Sequence, residues 1–227
     1  MVNVSVIIPT VGQMQRFNRC IEKLMEHTPK EQIGEIIVVA DSINYDLLLR
    51  LFLLFKNEEM PVSVVMNNKP IGRGKAIEVG LHLAMHEHAV ILENGVESFL
   101  DWLPNLIEGY TDDRGWVSSV VLENKDKQFF MGCSLINVPL FRQLGGFDRR
   151  FSPFGFEDLD LLNRMVIAGK RPVVVENSKI HHPLMHTTVA PVHCGGTSYQ
   201  EIMKQQELKY IDKYNGSGIG FSDIEVV

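Results

Sequence analysis

Cysteine is scarce in this chain, and long apolar runs and excess positive charge are missing. The three cysteines, Cys20, Cys133 and Cys194, are far apart and odd in number. Such usage excludes a disulfide framework, and no pair has zinc-ligand spacing. The longest apolar stretch, residues 47–55, is broken by Arg50 and is far shorter than a membrane span. Residues 1–9 carry neither the basic region nor the apolar core of a secretory leader, and the cysteine usage makes the reducing cytoplasm the expected compartment. A formal net charge of −6 argues against default attraction to nucleic acid or anionic lipid, although a local basic groove stays open.

What is present is ordinary globular material. The hydrophobic share is 45% and the charged share 22% of 227 residues, enough for one sizeable domain. Short β-branched runs at residues 4–9, 35–41, 62–66 and 89–92 alternate with helical apolar spacing at 13–27, 44–56 and 74–86. That order predicts βαβ units in an α/β domain with a mostly parallel sheet flanked by helices. Further strands are expected at 116–122, 129–138 and 171–176, and helices at 139–144, 158–168 and 199–214. The last helix reads as a brace, with self-association open. We expect a single domain, 1–227, with a nucleotide-binding half (1–97), an acceptor-facing half (98–196) and a C-terminal helix and tail (197–227).

Ligands of such sheets collect at the carboxyl ends of the strands, which directs attention to Thr10, Asp41, residues 67–73 and Glu93 to Glu97. The GRGKA stretch at 72–76 could turn backbone N–H groups toward a phosphate, but it equally well describes a tight loop. It is neither a Walker loop nor a dinucleotide fingerprint. The acidic cluster Glu157, Asp158 and Asp160 opens a predicted helix. It could simply complement the helix dipole, or supply a general base and a neighbour that binds the acceptor. His181, His182, His186 and His193 crowd one region and could be metal ligands or plain polar loop residues.

In combination these pieces resemble family 2 glycosyltransferases with the GT-A (Rossmann-like) fold. VSVIIPT at 4–10 is similar to the family's first strand and EIIVVADS at 35–42 to its second. Gly72, Ala76 and Gly80 fit its third motif, and GCS at 132–134 and LGGFD at 144–148 fit the segment before the acidic helix. FGFEDLDL at 154–161 resembles the Gly-x-Glu-Asp helix start of β-1,4-galactosyltransferase-like enzymes, and residues 173–182 resemble a last strand ending in a metal-binding histidine. The resemblance implies transfer of a sugar from a nucleotide-diphosphate sugar, a UDP-sugar by expectation, to an acceptor hydroxyl. It implies inversion with Asp158 as base and Glu157 orienting the acceptor. It places Pro9, Thr10, Asp41, Gly72, Arg73, Lys75, Glu93 and Asn94 around the nucleotide, and Glu93 and His181 at a Mn²⁺ or Mg²⁺ ion.

The chain departs from the family pattern where the ion should sit. The DxD element reads Glu93-Asn94-Gly95, without its last carboxylate; Ala40 replaces one acid of the second motif, and Pro70 and Glu78 replace the asparagines of the third. Glu93, Glu97 and His181 could still assemble a metal site, or Arg73, Lys75 or loop residues could neutralise the phosphates without one. A non-catalytic nucleotide-sugar or glycan binding protein on the same fold is the alternative. A nucleotidyltransferase ranks last, because no Gly-rich basic signature follows Pro9. The acceptor could be a glycan, a lipid-linked sugar, a protein or a modified DNA base. The stretch 182–197 is expected to act as a lid.

Overall fold

The computed structural model describes residues 3–10, 13–43, 45–56, 60–152, 154–183 and 197–227. The expected lid, with His186, His193 and Cys194, falls almost wholly outside them.

The first half follows the β/α alternation. Strand β1 (Val4–Thr10) leads to helix α1 (Met14–His27), β2 (Ile33–Ala40), α2 (Tyr45–Phe55), β3 (Val62–Met66), α3 (Arg73–Leu83) and β4 (His88–Leu92). β1 runs through Pro9 to Thr10 because Pro9 lies beyond the last residue paired with β4. A missing N–H is harmless there. Along β1 the side chains alternate between two cores: Val4, Val6 and Ile8 face one, Ile7 the other. Phe17, Cys20, Ile21 and Leu24 form the buried stripe of α1, none more than 1% exposed. α3 ends earlier than its apolar spacing suggests. The buried Glu35 carboxylate accepts the Met85 N–H at 2.8 Å and Ser5 Oγ the His86 N–H at 3.3 Å, so these donors leave the helical ladder.

The second half adds β5 (Glu97–Ser98), α4 (Trp102–Glu108), β6 (Trp116–Val121), β7 (Cys133–Asn137), α5 (Val138–Gln143), α6 (Glu157–Ile167), β8 (Val173–His181), α7 (Tyr199–Lys213) and β9 (Glu225–Val226). Neither β5, α4 nor β9 is apparent from periodicity. α4 starts from Asp101 in the left-handed conformation with no side-chain cap, so it lacks the usual start signal. β7 is shorter than the apolar run 129–138. Its first residues turn instead, with Gly132 carbonyl accepting the Glu93 N–H at 2.7 Å.

All strands join one mixed sheet, ordered β3-β2-β1-β4-β7-β6-β8-β5, with β9 beside β8. The β1, β2, β3 and β4 group is parallel, and β7 enters antiparallel to both β4 and β6. One core holds α1, α2 and α4 residues against the sheet, the other α3, α5, α6 and Tyr210 of α7. Among the described residues no helix is long and apolar enough to cross a membrane.

Candidate active site

The carboxyl ends of β1, β2 and β4 meet at one edge. The Asp41 N–H donates to Thr10 carbonyl at 2.8 Å, and Asn94 Nδ2 donates to Thr10 Oγ1 at 2.8 Å. The buried Asp41 carboxylate reaches across to accept the N–H groups of Ile71 and Gly72, at 2.5 and 3.2 Å. It therefore ties the end of β2 to the turn that launches α3. Pro9 is buried within β1, while Lys75 is exposed on the first turn of α3 and pairs with Glu78.

Arg73, also on that first turn, links this edge to the acidic helix. Its Nε donates to Glu93 Oε1, and its Nη1 stands 3.6 Å from Glu157 Oε1. Burial disfavours the charged guanidinium, but Glu93, Glu157 and Asp158 outweigh it and hold Arg73 firmly protonated. Gly132 makes room for the pair. A Cβ there would stand 2.4 Å from the Phe130 ring and 2.6 Å from Glu93 Cδ.

Glu157 and Asp158 open α6 from a left-handed turn, with Phe156 at φ 69°. A non-glycine residue in this region costs on the order of 1–3 kcal/mol and persists only where surrounding packing imposes it. Here the Phe156 ring packs on Tyr210 of α7, centroids 5.5 Å apart. Glu157 is 3% exposed, and neither carboxylate oxygen has a hydrogen-bond partner. Burial, then the Asp158 charge, push its carboxyl up to about 7 against the pull of Arg73. Burial likewise raises Asp158, opposed by Arg73 and by the Leu159 N–H. Glu157 also borders a cleft of about 350 Å³ between α3 and residues 147–152, lined by Lys75, Glu78, Asp148 and Arg149.

Of the residues expected at a divalent ion, Glu97 and His181 stand opposite one another on β5 and β8, but each of the three is engaged by another partner. Glu93 is held by Arg73, Glu97 by Arg19 at 2.6 Å, and His181 Nδ1 by Glu123 across the β6–β8 edge. Among the described residues no three His, Cys, Asp or Glu side chains stand ready to share one ion. Such hard ions need several oxygen ligands, so this donor set does not fit the expected ion. His182, passed over in favour of His181, lies nearer the loop. Its Nε2 is 3.8 Å from where a Cβ on Gly95 would stand, and its ring meets Phe130 edge-on. Burial lowers its pKa, against the charge of Glu93. Glu123 and Arg16 are further residues of this edge without a sequence signal, because only the folded chain brings them there.

With this geometry in place, comparison with known proteins is informative. A mannosyltransferase of Pyrobaculum calidifontis, solved with GDP-Man and Mn²⁺, superposes with a TM-score of 0.73 at 17% identity, covering 96% of this chain and 65% of that one. The fold is that of the GT-A glycosyltransferases. GalNAc-T7 with UDP, GalNAc and Mn²⁺ gives a TM-score of 0.72 at 15% identity over 97% of this chain and 52% of that one. Residues 1–349 of TarS from S. aureus give 0.62 at 15% identity over 79% and 60%. The chain thus spans between about half and two thirds of these structures. Residues 117–188, less than half of the chain, match the family described as the N-terminal domain of galactosyltransferase. That stretch contains the acidic pair and both His181 and His182. No curated protein matches by sequence.

Proposed function

We propose that this chain is a glycosyltransferase that moves a sugar from a nucleotide-diphosphate sugar, a UDP-sugar by preference, to an acceptor hydroxyl. The observation that carries the reading is the adjacent pair of buried Glu157 and half-buried Asp158, presented by a strained turn beside a cleft and joined through Arg73 to the strand ends. The nucleotide occupies the edge formed by Pro9, Thr10, Asp41, Gly72, Arg73, Lys75, Glu93 and Asn94. The acceptor enters the cleft beside Glu157, whose unpartnered oxygens suit sugar-type hydroxyl donors. Asp158 takes the acceptor proton as the oxygen attacks the anomeric carbon; the nucleotide diphosphate leaves from the opposite face, and the configuration inverts. No step is assigned to a divalent ion, because the described residues do not fit one.

The test is turnover of UDP- and GDP-sugars, followed as nucleotide release and product formation over a panel of glycan, lipid-linked, peptide and modified-base acceptors. Asp158→Asn should reduce turnover by about 10²-fold or more while leaving nucleotide binding intact. Wild-type protein that binds a nucleotide sugar yet turns none over would support the second reading, a binding protein. The Glu93-Asn94-Gly95 sequence and the capture of Glu93 by Arg73 favour that alternative.

A further inference from the structure

At the loop after β4, the surroundings are built for an anion. Gly95 stands at the place of the missing carboxylate, with φ at 109°, a conformation that side-chain-bearing residues rarely adopt. The carboxylate at the other end of the element, Glu93, is taken by Arg73. A second arginine reaches the loop from α1: Arg16 Cδ lies 3.8 Å from where a Cβ on Gly95 would be, on the loop that also faces His182. Among the described residues no hydrogen bond or ion pair engages the Arg16 side chain. Burial and the two arginines disfavour the charged form of His182, against the pull of Glu93.

We propose that Arg16 and Arg73 together bind the diphosphate of the nucleotide donor in place of a divalent ion, so that donor binding requires no metal. This rests on the donor reading above and extends it to residues and a charge mechanism of its own. Two guanidinium groups carry the same formal charge as one divalent cation. Each presents a planar fork of N–H donors that matches phosphate oxygens. Arg73 uses Nε on Glu93, which leaves Nη donors for the ligand. Glu93 is then a positioning residue that aims Arg73, and not a ligand of an ion.

The two roles of Glu93 predict different outcomes, which makes the proposal testable by calorimetric titration of the purified chain with UDP, GDP and inorganic pyrophosphate, in EDTA and then in Mn²⁺. We expect binding in EDTA that Mn²⁺ changes by less than about threefold. Arg16→Gln and Arg73→Gln should each weaken it by about tenfold or more. Glu93→Gln keeps an amide oxygen to accept from Arg73 Nε and removes a charge that opposes the anion, so metal-free binding should survive it, whereas loss of an ion ligand would abolish it. Arg16 is partly exposed, so its variant keeps the test valid if Arg73→Gln folds poorly by circular dichroism. Binding that needs Mn²⁺ and disappears in Glu93→Gln would overturn the proposal and leave the donor reading standing. Metal-independent binding indifferent to both arginine variants would also overturn it. Failure of all three probes in both buffers would remove the donor site itself.

Discussion

Glu157 lies in an environment far from what a carboxylate prefers. A carboxylate at a helix start usually finds N–H donors, but this one lies buried without a hydrogen bond beside a second carboxylate. Its folded-state pKa, about 7, stands above that of an unfolded glutamate, so the folded chain holds this proton more tightly. The contribution to stability is complete below the unfolded pKa of about 4.3 and is lost as pH rises through the folded one. Between those limits it removes up to about 1.4 kcal/mol per pH unit. Glu157→Gln should therefore flatten the fall in unfolding free energy between pH 5 and 7, measured by urea titration at each pH. An unchanged slope would mean that Arg73 keeps Glu157 ionised throughout. The acidic pair itself was readable as a motif; its burial was not, because that depends on α3 and the 147–152 segment closing over it.

At the scale of elements, α7 is the brace expected of its amphipathic pattern, and its attachment is largely polar. Gln206 Nε2 donates to the carbonyls of Phe151 and Ser152, and Lys213 Nζ bridges Asp148, at 2.8 Å, and Asp160. Asp160 is fully buried on α6, one turn from the acidic pair, and also accepts from Arg164 and Tyr214. Lys213→Met should cost about 3 kcal/mol, because it strips one counter-charge from a buried carboxylate. The loss should be visible as a lower denaturant midpoint with an unchanged m-value. A loss below about 0.5 kcal/mol, the range of ordinary surface changes, would show that Arg164 and Tyr214 suffice. The sequence offered Lys and Glu on α7 only as a solvated face. Lys213 turns inward because α6 lies against it, a fact of tertiary contact with no local signature.

Over the whole molecule, one sheet threads both halves, with β7 hydrogen-bonded between β4 of the first and β6 of the second. The cores on its two faces hold one tryptophan each, Trp102 of α4 in one and Trp116 of β6 in the other, both fully buried. Unfolding of one half would strip partners from the other, so we expect a single cooperative transition. Tryptophan fluorescence, reporting both cores, and far-ultraviolet circular dichroism should give coincident urea curves. Separated midpoints would instead identify the halves as independent folding units.

Local chemistry determined the strand–helix alternation of the first half, the acidic helix start and the strand ends where ligands gather, because hydrophobic period and β-branched runs act over a few residues. The same reading found the departure at Glu93-Asn94-Gly95. It named Arg73, Lys75 or loop residues as what could stand in for an ion, without choosing among them. Tertiary structure brings Arg16 of α1, Arg73 of α3 and His182 after β8 around one loop from three distant parts of the chain. Their placement depends on how the sheet and its two helical layers pack, and no pattern within any one segment encodes it.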